Sequence, residues 1–314
     1  MAAKALLAAT KAEKIELQKR ASVEDALAVV FGACLRHWTE NRAAALSGDP
    51  EGVHEMRVAL RRTRVALSDF REVIPHSHFA RMKRETKWLL GKLGSARNWD
   101  VFLAELLAPV EAARPGDEGL TRLRIAAEAE RAKGYVQARR AIRSPRYSAF
   151  QTRTRRSWLL DKSRRQGSNG TGKSRDELAV KLAGRLLRKR NKVVLKLGRD
   201  IKKLSARERH RLRIALKKFR YTAEFFRSLY QKKREKAYFH ALTRLQDSLG
   251  RMNDVVVADH LLKRLSSARH DQNTFDPLST AAGTVARWYS KSASSSKRQA
   301  EANWREFRRC DAFW

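Results

Sequence analysis

One sequence pattern occurs twice in this chain, 156 positions apart. Residues 53–64 read VHEMRVALRRTR and residues 209–220 read RHRLRIALKKFR, so histidine, arginine and leucine positions coincide at this offset. Further along, the same offset aligns a Leu-Gly pair that is followed by Asn98 in the first copy and by Asp254 in the second. A constant offset across two separate patterns indicates two copies of one structural unit. The fold must therefore accommodate the same basic segment twice.

The composition favours an all-α fold. Ala, Leu, Arg, Lys and Glu dominate, and only 6 prolines and 15 glycines interrupt them. The strict alternation of apolar and polar residues that indicates β-strands is nearly absent. We predict helices over residues 23–46, 52–73, 78–93, 99–107, 118–143 and 146–160, and again over 176–204, 206–230, 233–249, 254–268 and 275–300.

The Gly/Ser-rich stretch at residues 161–174 is interpreted as a linker between the two copies. It contains GSNGTGKS, which matches the phosphate-binding loop of NTPases, but such a loop must follow a buried strand. Here the preceding residues are charged and helix-like, so we reject that function. We predict an N-terminal extension at 1–20, a first helical repeat at 21–160 and a second at 175–314.

The Leu-Gly pattern has a local interpretation. Gly94 and Gly250 are predicted to end a helix, because glycine tolerates the left-handed conformation that often follows one. Asn98 and Asp254 are predicted to cap the start of the next helix. A second role for either residue, in orienting a neighbouring arginine, stays open.

The net charge is the strongest clue to a partner. The chain has 69 lysines and arginines against 33 acidic residues, a formal charge of +36. Such a surplus opposes compaction unless a polyanion neutralises it, which points to nucleic acid, an anionic membrane or polyphosphate. No apolar run approaches the ~18 residues that span a bilayer, and the two cysteines, Cys34 and Cys310, make no disulfide framework. We predict a cytoplasmic protein without a membrane partner.

The repeated pattern becomes a narrow basic arc when it is placed on a helix. With about 100° between successive residues, apolar side chains bound the arc on both sides. A solvated surface would carry balancing acids, whereas this arc is basic apart from its histidine, so we expect partial burial against an anion. Arginine suits phosphate because its planar guanidinium donates two hydrogen bonds at once. The arc residues, predicted to line an anion-binding groove, are His54, Arg57, Arg61 and Arg64, and then His210, Arg213, Lys217 and Arg220.

A second basic stripe follows one face of a long predicted helix in the second half. Its residues recur at helical spacing and are Arg185, Lys189, Lys192, Lys196 and Arg199. The first half offers Arg36 as a weak counterpart, so we expect the second half to bind anions more strongly. Arg84 adds a further candidate ligand in the first half.

The strings VHEMRVALRRTRVAL, LGSARNWDV and WREFRRCDAFW resemble the CHAD family, the conserved histidine α-helical domain, from about residue 20 onward. The resemblance implies two similar helical bundles, related by a pseudo-two-fold axis, with a basic central groove or pore. It also implies binding of inorganic polyphosphate, often at polyphosphate granules. The ligands that it implies are His54, Arg57, Arg61, Arg62 and Arg64 in the first repeat, and His210, Arg213, Lys217, Lys218 and Arg220 in the second.

Two departures from the family pattern bear on function. Asn98 follows Arg97 where relatives often carry aspartate, so a charged arginine partner is missing in the first repeat. Many relatives also have a triphosphate tunnel domain with a Glu-x-Glu-x-Lys strand, which this sequence lacks. We therefore expect a stand-alone, non-catalytic binding protein, with no catalytic residue, metal or cofactor.

Two other functions stay open. A nucleoid-associated, nucleic-acid-binding protein would use the same charge, and seven tryptophans offer stacking surfaces, although no helix-turn-helix or RNA-binding motif is visible. A phosphotransferase or phosphatase would need carboxylates that hold magnesium beside the groove, for which Asp100 and Asp254 are the candidates. We expect inorganic polyphosphate as the main partner and nucleic acid as a secondary one.

Overall fold

The structure of the protein is a computed structural model that describes residues 8–156, 175–267 and 277–314. Within these ranges the regular structure is helical, and strand pairing is limited to a single bridge between Ser22 and Leu178. The all-α prediction is therefore confirmed. Among the described residues, no helix combines the length and the apolarity needed to cross a bilayer. The predicted linker at 161–174, with its loop-like string, lies outside the described residues.

The helices, in chain order, are α1 (Val23–Glu40), α2 (Arg42–Ser47), α3 (Pro50–Asp69), α4 (His76–Lys92), α5 (Gly94–Val101), α6 (Ala108–Ala112), α7 (Glu118–Arg143), α8 (Pro145–Arg155), α9 (Ala179–Leu197), α10 (Ala206–Phe226), α11 (Lys232–Ser267) and α12 (Pro277–Arg309). A π-helical segment (Phe102–Leu107) joins α5 to α6, and a 3-10 turn (Arg227–Leu229) follows α10. The helix predicted at 118–143 agrees with α7. The segment predicted at 99–107 divides between the end of α5 and the π-helical segment.

Side-chain caps fix where the two helices with the repeated pattern begin. Before α3, the Asp49 carboxylate accepts a hydrogen bond from the Glu51 backbone N–H at 2.9 Å, and Pro50 occupies the first turn. Before α10, Ser205 and Glu208 form a capping box, with the Glu208 carboxylate accepting from the Ser205 N–H at 2.8 Å. Such caps stabilise a helix start by about 1 kcal/mol. They set the register in which the basic side chains project.

The prediction that the Leu-Gly pattern ends a helix in the second half is wrong. Gly250 and Asp254 lie inside the continuous helix α11, so the helices predicted at 233–249 and 254–268 are one. An interior glycine costs a helix only about 1 kcal/mol. Buried leucines before and after Gly250 belong to two core clusters, and their packing outweighs that cost.

In the first half a helix does end at this pattern, because α4 stops at Lys92 with Leu93 as its C-cap, but the predicted left-handed glycine and the predicted Asn98 cap are wrong. Gly94 begins α5, and the described glycines with a left-handed backbone are Gly48 and Gly116. Asn98 lies within α5 and caps no helix. Leu93 keeps a right-handed backbone, with φ −83° and ψ −8°, where α4 passes into α5. The glycine pattern must therefore have another purpose.

Three clusters of buried side chains hold the helices together. The first combines α1, α3, α4, α7 and α8 with Leu182 of α9 and Phe225 of α10. The second joins the region around Trp99 to α11 and α12, and the third lies among α9 to α12. Two of the clusters contain residues from both sides of the predicted linker, so neither half closes its core alone. The pseudo-two-fold relation between two bundles stays a prediction from the repeated sequence.

Candidate functional site

Helices α3 and α10, which carry the two copies of the repeated pattern, pack against each other. Arg62 Nη1 donates to Glu224 Oε2 at 2.5 Å. Thr222 Oγ1 donates to the buried Asp69 Oδ2 at 2.6 Å. These two bonds fix how the helices meet, and they bring both basic arcs to one place.

A cleft with two chambers opens beside this helix pair. The larger chamber has a volume of about 750 Å³ and the smaller one about 300 Å³. One set of polar and ionisable side chains borders both chambers and therefore stands where they meet: His54, Arg61, Glu105, Arg213, Lys217 and Asp254. The predicted ligands of the two repeats thus face a common space.

Cationic groups in the cleft are buried without a hydrogen-bond partner. The Nε atoms of Arg57, Arg61 and Arg213 are inaccessible and make no hydrogen bond within the described residues. The same is true of His54 Nδ1. Arg57, which lines the smaller chamber, is held at its other end, where Nη1 donates to the Leu90 carbonyl at 2.8 Å. Because an unsatisfied buried donor costs about 1–3 kcal/mol, an anion that accepts these bonds stabilises the cleft.

The two copies of the sequence pattern hold their aligned arginines differently. Arg213 Nη2 lies 3.8 Å from the carboxylate Oδ1 of Asp254. Arg57, its counterpart, bonds to the backbone of Leu90, and Asn98 takes the place of the aspartate. The orienting role that the sequence left open therefore belongs to Asp254, in the second repeat.

Burial and mutual repulsion lower the pKa values of the cleft cations. Burial, followed by the neighbouring arginines, lowers the pKa of Lys217 to about 7. Burial, followed by the charge of Arg97, lowers the pKa of His54 to about 4, so this histidine is neutral at pH 7. Burial and Arg61 lower the pKa of Arg57 to about 10. Each positive charge is less stable here than in water, which is the condition in which a bound anion has the largest effect.

Arg62 and Arg220 line the larger chamber, but an acidic residue already engages both. Glu224 accepts from Arg62 Nη1 at 2.5 Å and from Arg220 Nε at 2.8 Å. Arg62 is only 6% exposed, and its guanidinium lies 5.3 Å from the centre of the Phe225 ring. Arg62 therefore serves the packing of α3 on α10, and the ligand role of both arginines stays a prediction.

The other predicted ligands border neither chamber of the cleft. They are Arg36, Arg64, Arg84, Arg185, Lys189, Lys192, Lys196, Arg199, His210 and Lys218. Arg64 and His210, the end residues of the two arcs, are thus away from the chambers, and their role as ligands stays a prediction. Arg64 is exposed to solvent. His210 is exposed and hydrogen-bonds through Nδ1 to Asn253 Oδ1 at 2.7 Å.

The stripe on α9 faces away from the cleft. Leu182, Leu187 and Val194 of this helix are buried in the cores, so the opposite face carries its charges into solvent. Arg185 is already paired with Glu177, through Nη2 and Oε2 at 2.8 Å. Lys189, Lys192 and Lys196 are the exposed members of this face, and Arg199, also exposed, lies just past the end of the helix.

Two further predicted ligands have acidic partners and do not border the cleft themselves. Arg36 is exposed and lies 3.0 Å from the Glu13 carboxylate. Arg84 Nε donates to Glu85 Oε1, also at 3.0 Å. Lys218 is exposed and borders a separate depression beside Asp69. A role in binding stays a prediction for each of these residues.

Additional cations complete the cleft, although the sequence did not single them out as ligands: Arg97 in the smaller chamber, and Lys11, Lys14, Arg227 and Arg251 in the larger one. Arg97 carries a signal, because it stands three residues after Gly94 in the second repeated pattern. The two lysines lie in an N-terminal segment without helical periodicity. Buried Ile15 and a hydrogen bond from the Thr10 N–H to Asn41 Oδ1, at 3.0 Å, hold that segment along the chamber.

The glycines of the Leu-Gly pattern leave room for the cleft. A Cβ atom on Gly94 would lie 3.3 Å from Arg57 Nη1, which is closer than an ordinary contact. Gly250 lines the larger chamber, and a Cβ atom there would meet nothing within 4 Å. Gly94 thus follows the end of α4 without a left-handed backbone, and it leaves clearance beside Arg57.

One group of metal-ligand side chains comes together among the described residues. It consists of Glu51, His54 and Glu55, whose ligand atoms lie within 4.8 Å of one another. Glu55 already shares a hydrogen bond of 2.9 Å with His37. Positive charges from Arg97 and other neighbours act on His54. These positive charges disfavour a metal cation at the same place, so we assign no metal to this group.

The helical fold and its cation-rich cleft define a class of all-helical protein with a basic centre. The family model described as the CHAD domain matches residues 29–263, and the chain belongs to this family. No curated protein matches the chain.

Two solved structures are similar to it. The crystal structure of the CHAD domain from the plant Ricinus communis has a TM-score of 0.81 and 29% identity, covering 97% of this chain and 98% of that one. PptA from Streptomyces chartreusis has a TM-score of 0.63 and 15% identity, covering 92% and 99% respectively, and shares the fold.

Proposed function

We propose that the protein binds inorganic polyphosphate in the cleft between α3 and α10. CHAD domains are linked to polyphosphate, and the chain belongs to that family. The observation that carries the proposal is the set of half-buried arginines whose Nε atoms have no hydrogen-bond partner within the described residues, Arg57, Arg61 and Arg213, beside Lys217. A chain of phosphates presents a negative charge at every unit, so it neutralises several of these cations in one binding event.

The shape of the cleft supports a thin, linear ligand. From His54 to Arg61 the helix advances about 10 Å, which matches several consecutive phosphates rather than one. The acidic side chains of Glu105 and Asp254 stand among the cations where the chambers meet. A ligand must place its charges between these carboxylates. A flexible phosphate chain adapts to that spacing, whereas a stiff duplex does not.

Competition binding tests this proposal. Inorganic polyphosphate competes against double- and single-stranded DNA of matched charge at about 50 and about 200 mM salt, where phosphate contacts show their salt dependence. We expect polyphosphate to bind at least about tenfold more tightly than either DNA at the higher salt, because half-buried charges are screened less. If all three ligands weaken together, the charge acts as an open surface and the cleft assignment is wrong.

Nucleic acid is the second candidate ligand, and the exposed face of α9 favours it. Lys189, Lys192 and Lys196 follow one side of this helix in solvent, and exposed Arg199 comes two residues after the helix ends. An open row of cations attracts any polyanion and loses affinity steeply as salt rises. We therefore expect DNA or RNA binding that is weak at physiological salt and depends on α9 rather than on the cleft.

The proposal includes no catalysis. Asp100, a candidate magnesium ligand, is buried and accepts hydrogen bonds from Arg131 Nε at 2.6 Å and from the Tyr135 hydroxyl at 2.9 Å. Asp254 faces Arg213. Phosphate release from polyphosphate with added magnesium, if it is lost when Asp254 is replaced by asparagine, would contradict a purely binding role.

The same binding gives a proposed location, in the cytoplasm at polyphosphate granules. A fluorescent fusion of the whole chain should form foci that coincide with granules. A fusion with Arg61→Gln and Lys217→Gln should remain diffuse while its helical content is unchanged. Foci that persist in this variant would show that another surface directs the protein there.

A further inference from the structure

Arg84 borders a second cavity, of about 250 Å³, between α4 and α8. The lining of this cavity shares no residue with either chamber of the cleft. Four arginines surround it: Arg81 and Arg84 from α4, and Arg146 and Arg153 from α8. The cavity is therefore a separate basic site, which we call the α4–α8 pocket.

Positive charge exceeds negative charge in this pocket. Glu85 is the acidic residue of its lining, and it accepts from Arg84 Nε at 3.0 Å and from Arg146 Nε at 2.7 Å. Arg81 and Arg153 have no acidic partner within the described residues. An anion with more than one negative charge is needed to balance the group.

The paired arginines are held in position with their outer ends accessible. Glu85 is 8% exposed and engages each guanidinium through Nε, while the Nη atoms of Arg84 and Arg146 make no hydrogen bond within the described residues. The guanidinium of Arg146 also lies 4.3 Å from the centre of the Trp88 ring. Fixing a guanidinium in advance reduces the entropy lost when it binds phosphate oxygens.

The floor of the pocket is apolar. Met82 and Phe150, each 4% exposed, form it together with Ala149. Thr154 also lines the pocket, but its hydroxyl already donates a hydrogen bond to the Phe150 carbonyl at 2.7 Å. A ligand that carried only phosphates would place no apolar surface against this floor. A flat ring attached to phosphates would contact both parts of the pocket.

We infer that the α4–α8 pocket binds a nucleoside di- or triphosphate, with the base on Phe150 and Met82 and the phosphates on the four arginines. This site is independent of the polyphosphate cleft. It gives the protein two classes of phosphate ligand, a polymer at the cleft and a compact ester at the pocket. Inositol polyphosphates share the phosphate chemistry but have no flat apolar ring.

Calorimetric titration of the whole chain with ATP, in salt near physiological strength, tests the inference. We expect one saturable site. Replacing Arg81 and Arg153 by glutamine should weaken ATP binding by about tenfold or more, since each charge-assisted phosphate contact is among the strong hydrogen bonds. The matched control is Lys297→Gln with Arg298→Gln, which removes the same charge from an exposed part of α12 and should change ATP affinity by less than about twofold.

Further experiments distinguish ligand binding at this pocket from binding at the cleft. The variant with Arg61→Gln and Lys217→Gln should lose polyphosphate binding and keep ATP binding, so failure of one proposal does not affect the other. Inorganic triphosphate and inositol hexakisphosphate should each displace ATP from the wild-type chain less effectively than unlabelled ADP does. The inference is wrong if ATP does not saturate one site, if the cleft variant loses ATP binding, or if either base-free anion competes as well as ADP.

Discussion

The cleft and the exposed face of α9 are two basic regions with opposite physical character. In the cleft, Arg57, Arg61 and Arg213 are half-buried, and their Nε atoms have no partner among the described residues. On α9, the cationic side chains project into water. Water and salt already satisfy an exposed cation, so a ligand adds little there. A half-buried cation without a partner is unstable until an anion arrives, so the same charge discriminates between ligands.

The first test of this difference compares two variants, each with four cationic residues replaced by glutamine, so that both lose the same charge. Replacing Arg57, Arg61, Arg213 and Lys217 by glutamine should weaken polyphosphate binding by about a hundredfold or more, roughly 2.7 kcal/mol. The helical circular dichroism signal should persist, because these side chains repel one another in the free protein.

The α9 variant serves as the control for that experiment. Glutamine at Lys189, Lys192, Lys196 and Arg199 should weaken polyphosphate binding by less than about fivefold at about 150 mM salt, where exposed charges are largely screened. Equal losses of affinity in the two variants would show that total charge, and not burial, determines binding.

A second test separates structural arginines from binding arginines within the cleft. Glu224→Gln leaves Arg62 buried without its charged partner, which should cost about 3–5 kcal/mol in the free energy of unfolding. Glu177→Gln breaks the exposed pair with Arg185 and should cost less than about 1 kcal/mol. Urea titration gives both values. A small loss in the free energy of unfolding for Glu224→Gln would show that Arg62 does not depend on this pair and is available to bind a ligand.

A third test uses pH. The pKa of Lys217 is lowered to about 7 by burial and neighbouring arginines, and a bound phosphate raises it again, so binding takes up a proton. Polyphosphate affinity should therefore fall by about tenfold from pH 6.5 to pH 8.5. Lys217→Arg keeps its charge over this range and should flatten the profile. A pH dependence that is unchanged in this variant would assign the proton to another group.

In the free protein, the lowered pKa of Lys217 makes folding stability increase with pH, whereas it makes polyphosphate affinity decrease with pH. The unfolded chain binds more protons than the folded one between about pH 7 and the ordinary lysine pKa of 10.5. The contribution of Lys217 to folding stability therefore increases as the pH rises through this window. Thermal unfolding of wild type and Lys217→Met at both ends of the window measures it.

The smallest expected effect concerns the space that Gly94 leaves beside the Arg57 guanidinium. Gly94→Ala places a Cβ atom 3.3 Å from Arg57 Nη1, so the guanidinium must shift, and we expect polyphosphate affinity to fall by about two- to fivefold. Gly250→Ala meets nothing within 4 Å and should leave affinity within about twofold. If the two alanine variants bind equally, the glycine pattern does not serve the position of Arg57.

Helical periodicity explains why parts of the site were predictable. Spacing alone places His54, Arg57 and Arg61 on one face of α3, and the repeat places Arg213 and Lys217 on the matching face of α10. It does not show how far along each helix the neighbouring helix reaches. Arg64 and His210 belong to the same arcs, and the structure leaves both outside the cleft.

The caps predicted at the Leu-Gly pattern failed for a related reason. Glycine and aspartate have real local preferences, and near Gly250 those preferences favour a break. Apolar residues on both sides of that glycine pack in two different cores, so one long helix buries more surface than two short ones. Local propensity is a weak term when tertiary packing opposes it.

The sequence by itself determined the helical class, the two basic helices and the family, because residue spacing and repeated patterns are properties of the chain alone. Tertiary structure decided which charges share a space. It added Arg97 and Arg227 to the cleft, engaged Arg62 with Glu224, and placed Arg84 at a second pocket. The physical reason is that burial and pairing depend on neighbours distant in sequence, and these neighbours, more than residue type, set how strongly a cation binds an anion.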